Sequence, residues 1–158
     1  MPKDRVAIIA HAFLWDDAKE PGRVNSALER LVRSLRVQYP DAPIFAQGEL
    51  AALFDDLPSV VASPTLGDSP RYLGTRDIAL WHQAECEKRG ITRVVLVTAK
   101  THYPRALGTT RKVGLKVVSA DIPEVFSRRN PQRRWRYKPI AKFYEFLARM
   151  YYRVRGWM

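Results

Sequence analysis

The chain has 158 residues, the length of one domain, and a chain of this size buries roughly 68–70% of its unfolded surface without a covalent staple. Its composition, 46% hydrophobic and 27% charged, is that of a soluble globular protein. The single cysteine, Cys86, excludes an internal disulfide and a cysteine metal cluster, and no apolar run reaches the roughly 20 residues of a membrane-spanning helix. The net charge of +11 is unevenly placed: residues 128–158 hold ten Lys or Arg and one Glu, or +9, and the other 127 residues carry only +2. The opening M-P-K-D-R-V-A-I-I-A lacks a signal-peptide apolar region, so a cytoplasmic location is expected.

Val6 to Ala10 is the first expected strand, followed by a loop from His11 to Gly22. Arg23 to Val37 reads as a helix, with Val24, Ala27, Leu28, Leu31 and Leu35 on one face. Ile44 to Ala46 is a second strand, Gln47-Gly48-Glu49 a turn, Leu50 to Leu57 a short helix and Val60 to Ala62 a third strand. A helix capped by Thr75 runs to about Arg89 and stops at Gly90. Val94 to Val97 is a short β-branched run, the pattern of a central parallel strand covered on both faces. Pro104 opens a helix to Val113, stopped by Gly114, and Leu115 to Ser119 is the fifth strand. Residues 120–138 look irregular, and Pro139 opens a last helix to about Arg155. The alternation predicts an α/β fold: a three-layer, Rossmann-like open sheet of about five mainly parallel strands, with a C-terminal amphipathic helix.

In such a sheet ligands sit outside the carboxyl ends of the strands. There the central strand runs into Thr98, Lys100, Thr101, His102 and Arg105. Arg105 offers a fork suited to phosphate or carboxylate, the helix starting near Pro104 adds N–H groups and a positive dipole end, and His102 can donate, accept or pass a proton. The bland alternative is a loop histidine bonded to backbone beside a surface arginine. Thr75 and Asp77 suit a substrate hydroxyl or ribose, though a helix cap explains both. His11, Asp16, Asp17 and Arg23 border the first loop; a metal there lacks ligand spacing to support it. Gly48 permits close backbone approach to a ligand. His82, beside Trp81, reads as structural. No G-x-G-x-x-G, phosphate-loop or G-x-S-x-G motif is present.

The last helix has Ile140, Phe143, Tyr144, Leu147, Met150, Tyr151 and Val154 on one face, and Lys142, Glu145, Arg149 and Arg153 on another. The expected arrangement docks the apolar face on the sheet and leaves the basic face in solvent. The alternatives are an anionic membrane surface, or nucleic acid met jointly with Trp135, Tyr137 and the Arg-rich segment.

I-T-R-V-V-L-V-T-A-K-T-H-Y-P-R-A, followed by G-L-K-V-V, resembles the strand, the V-T-S-x-x-H-x-x-R-A block and the next strand of the ElyC/SanA/YdcF family. G-T-R-D-I-A-L resembles that family's T-x-E/D-N/S element, G-R-V-N-S-A-L-E-R-L its first helix, Q-G-E its S-G-G or S-G-D turn, and F-Y-E-F-L-A-R-M-Y-Y-R-V-R-G-W its terminus. His11-Ala12-Phe13 stands where the family has a glycine-rich turn. The resemblance implies a bacterial Rossmann-like protein of unsettled reaction, linked to envelope biogenesis. Its polar cleft would be lined by Arg23, Gly48, Thr75, Asp77, Thr98, His102 and Arg105. The reading is a protein that binds a phosphate-bearing or nucleotide-like ligand. As a hydrolase or transferase it would use His102 as the catalytic residue; the alternatives are a non-catalytic binding module or a basic adaptor acting through residues 128–155. No cofactor is named by the sequence.

Overall fold

The computed structural model describes residues 5–12, 22–63, 74–118, 122 and 138–158. Five strands, β1 (Val6–Ala10), β2 (Ile44–Ala46), β3 (Val60–Ala62), β4 (Arg93–Val97) and β5 (Lys116–Val118), form one parallel sheet in the order β3-β2-β1-β4-β5. Between and after them lie α1 (Gly22–Gln38), α2 (Gly48–Ala51) with a 3-10 turn at Ala52–Phe54, α3 (Thr75–Glu87), α4 (Tyr103–Lys112) and α5 (Lys138–Val154). This is the expected α/β, Rossmann-like fold.

The period of two along each strand divides the core in two. Ile8, Ala10, Ile44, Ala46, Val95 and Val97 meet Val24, Leu28, Val32 and Leu35 of α1 together with Leu50 and Phe54. Ala7, Ile9, Phe45, Val94 and Leu96 meet Cys86 of α3, Ala106 of α4, Ile91 and Leu115. A strand buried on both faces has no polar side to spare, which is why β4 reads as an unbroken apolar run. Each Val, Leu or Ile buried this way contributes about 1.5–3 kcal/mol.

β1 pairs with β4 from Val6↔Arg93 to Ala10↔Val97. From β1 the chain goes to β2 and β3 on one side; β4 and β5 lie on the other. The connections after β1 and β4 therefore leave in opposite directions and open a crevice at the carboxyl ends of those two strands.

Three local details differ from expectation. The cap of α3 is Gly74, not Thr75: Gly74 is extended (φ −80°, ψ 169°), and the Asp77 carboxylate accepts its N–H at 2.9 Å. Thr75 thus sits in the first helical turn. The helix expected over Leu50 to Leu57 begins earlier, at Gly48, and tightens to 3-10 geometry at Ala52. The largest difference is α5. It buries Ala141, Glu145 and Tyr152, while Ile140, Phe143, Leu147, Met150, Tyr151 and Val154 are exposed. The face expected to dock is the outer one, and Glu145, expected in solvent, is 2% exposed. Of the segment expected to be irregular, all but Ile122 and Lys138 lies outside the described residues.

Candidate functional site

His11 and Thr98 are the first residues beyond β1 and β4. The His11 N–H donates to the Val97 carbonyl at 2.9 Å, which extends the pairing one step past the strand ends. Both side chains are buried, and neither His11 Nε2 nor Thr98 Oγ1 has a hydrogen-bond partner among the described residues. Two buried polar atoms at the carboxyl ends of β1 and β4 thus keep unused hydrogen-bonding capacity among the described residues.

His102 reaches this place through a tight turn, in which the His102 and Tyr103 N–H groups both donate to the Ala99 carbonyl. It caps α4, with Pro104 in the first turn, where a missing N–H costs nothing. Its ring lies between two side chains. Nε2 is 3.4 Å from Thr75 Oγ1, and Nδ1 is 3.2 Å from Glu145 Oε1. The result is a carboxylate, an imidazole and a hydroxyl in line.

Arg105, on the first turn of α4, is held by the same carboxylate. Its Nη2 donates to Glu145 Oε1 at 2.8 Å and its Nε to Oε2 at 3.1 Å, a two-point grip. The guanidinium also lies 5.3 Å from the centre of the Tyr152 ring. Arg105 Nη2 comes within 2.9 Å of His102 Nδ1. Arginine only donates, so this contact and the Glu145 contact are alternatives at Nδ1. With Nδ1 bare, it accepts from Arg105 and Nε2 carries the proton. With Nδ1 protonated, it donates to Glu145 and Nε2 becomes a base facing the Thr75 hydroxyl.

The three histidines lie close together. The ring centres of His11 and His82 are 5.0 Å apart, and those of His11 and His102 are 6.0 Å apart. His82 Nε2–H donates to the Phe45 carbonyl at 3.1 Å. Burial drives all three toward the neutral form. His82 falls to about 3; His11 drops well below its usual range, pushed further by His82, His102 and Arg105; His102 is lowered by burial against the opposing pull of Glu145. Burial also opposes the charges on Arg105 and Glu145, but their contact and that with His102 prevail. The guanidinium is held more firmly protonated and the carboxyl more firmly ionised. At neutral pH the cluster is therefore one buried ion pair beside neutral imidazoles.

Of the residues read from the sequence, Thr75, His102 and Arg105 come together here, Arg105 already paired with Glu145, and Thr98 follows β4. Arg23 is exposed on the first turn of α1. The Gly48 N–H donates to Ser63 Oγ at 3.2 Å, and Asp77 serves the cap of α3. Asp16 and Asp17 lie outside the described residues, and among the described residues no group of three or more His, Cys, Asp or Glu is placed to hold a metal ion. A groove of about 360 Å³ lined by Arg76, Gln83, Lys112 and Trp157 does not include the histidines. Sequence reasoning missed Glu145 and Tyr152. A signal was present for the first: Glu145 is the one acidic residue among ten basic ones in residues 128–158.

Fold and geometry together define a Rossmann-like α/β protein with a carboxylate–histidine–hydroxyl line at the carboxyl edge of its sheet. Comparison of the chain with protein-family models, curated proteins and solved structures gives no match.

Proposed function

We propose that this protein binds a phosphate-bearing small molecule in the crevice between β1 and β4 and that His102 exchanges a proton with it, in a hydrolase or transferase reaction. The observation that carries this reading is the line Glu145–His102–Thr75. A histidine held between a carboxylate on the Nδ1 side and a hydroxyl on Nε2 is oriented for acid–base work, and in the tautomer that donates from Nδ1 to Glu145 its Nε2 is the base. His11 Nε2 and Thr98 Oγ1, which have no hydrogen-bond partner among the described residues, supply further polar contacts, and the first turn of α3, which bears Thr75, supplies N–H groups for an anion. The resemblance to the ElyC/SanA/YdcF family supports the same edge of the sheet. Binding without reaction is the second reading, and one observation favours it: the Arg105 charge is already balanced by Glu145, so little cationic field is left to stabilise a transition state.

The test combines melting temperatures in inorganic phosphate and nucleoside monophosphates with release of p-nitrophenolate from p-nitrophenyl phosphate and its diester. We expect stabilisation by at least one anion and turnover that drops about 100-fold or more in His102→Gln, with the melting temperature without ligand nearly unchanged. Stabilisation without any product assigns the second reading. Turnover indifferent to His102→Gln removes the role given to His102.

A further inference from the structure

α5 turns its apolar side away from the protein. Its buried residues, Ala141, Glu145 and Tyr152, form one stripe against the His102 and Arg105 region. Half a turn round, Ile140, Phe143, Leu147, Met150 and Val154 form a second stripe at spacings of three and four, with exposures from 45% to 83%. Phe146, also exposed, widens the stripe on one side, and Lys142 and Arg153 run along that border. A contiguous exposed apolar face of this kind marks a surface that something covers.

Charge decides what covers it. A second copy of the chain would bring the same stripe and the same basic border, so like charges would meet across the contact. A nucleic acid would satisfy the lysines and arginines but has nothing to bury five aliphatic and aromatic side chains against. An anionic lipid surface meets both needs: the acyl region takes the stripe, and the headgroups meet cations whose long stems reach up from the border. No helix among the described residues is long and apolar enough to cross a membrane.

We propose that α5 seats the protein on an anionic lipid surface, lying in the plane of the interface with the Ile140–Val154 stripe inserted and Lys142 and Arg153 at the headgroups. This does not depend on the reaction assigned to the crevice, because it uses the opposite side of the helix from Glu145. The experiment is co-sedimentation of the full chain with vesicles of phosphatidylcholine alone and with one-third phosphatidylglycerol. Binding to the anionic vesicles is expected to be about tenfold tighter or more and to weaken with salt. Leu147→Glu/Val154→Glu, both at exposed positions, should lose at least about tenfold in binding at an unchanged melting temperature, and Lys142→Glu/Arg153→Glu should lose the preference for anionic lipid. The proposal is overturned by absence of binding to anionic vesicles, or by undiminished binding of Leu147→Glu/Val154→Glu. Stripe-dependent dimers in sedimentation velocity, without vesicle binding, would assign the face to a second copy instead.

Discussion

Glu145 joins two parts of the molecule that the sequence keeps 40 residues apart, and both of its oxygens are committed to Arg105. Taking one member from a buried ion pair costs about 3–5 kcal/mol, because the other charge is left without a partner. Glu145→Gln should therefore lower the melting temperature by roughly 10 °C, and the paired change Glu145→Leu/Arg105→Met should recover part of that loss. The same substitution reports on His102. Glu145 pulls the His102 pKa up against burial, so removing its charge should lower that pKa further, as read from the imidazole C2–H resonance against pH. An unmoved titration would mean that Nδ1 faces Arg105 alone.

At the scale of elements, α5 is held by a narrow strip of small and polar side chains. Ala141 is wholly buried at that contact, so Ala141→Leu overpacks it and should cost about 1–3 kcal/mol. It should also expose α5 to trypsin at Lys142 and Arg149 well before the sheet is cut; uniform digestion would deny that the helix docks as a unit. The contrast with β4 shows what a sequence makes legible. Val94 to Val97 can be placed because a strand covered on both faces admits only apolar residues, so composition and position carry the same message. For α5 they part. Periodicity reveals that Ile140, Phe143 and Leu147 share a face, but not whether that face meets the protein's own core. Docking goes instead to Ala141, Glu145 and Tyr152, because small and polar groups fit closely beside a buried arginine that needs a counter-charge. His102 and Thr98 were legible because the loop after a central strand has a fixed place in this topology. Glu145 and Tyr152 were not, since their roles come from packing between distant segments.

At the scale of the whole molecule, the three neutral histidines and the ionised Glu145 make stability depend on acid. His82 titrates at about 3 when folded and near its ordinary 6.5 when unfolded, and His11 and His102 are shifted the same way. Below pH 6.5 the unfolded chain binds more protons than the folded one, so stability falls as pH falls. Between about pH 6.5 and pH 5 a histidine held as low as His82 costs about 2 kcal/mol, and His11 and His102 add in the same direction. Glu145, whose pKa is lowered, loses its contribution in the same direction at more acid pH. The melting temperature should thus drop by roughly 10 °C between pH 7 and pH 5, before ordinary carboxyls titrate. His82→Gln keeps a donor for the Phe45 carbonyl and should flatten that slope by the share of one histidine; a slope indifferent to it would place the acid sensitivity elsewhere.

The carboxylate that neutralises Arg105 is part of the chain and so never diffuses away. Groups tethered in this way compete at effective concentrations on the order of millimolar or higher. A lone chloride or acetate from the medium gains nothing by exchanging with it, since one charge merely replaces another and the tether restores the original. Only a visitor with several charges, or with a second handhold on the crevice wall, can evict it. The helix that carries Glu145 is thus a resident competitor for Arg105, and a ligand that takes its place there has to bring more than one charge or a second contact.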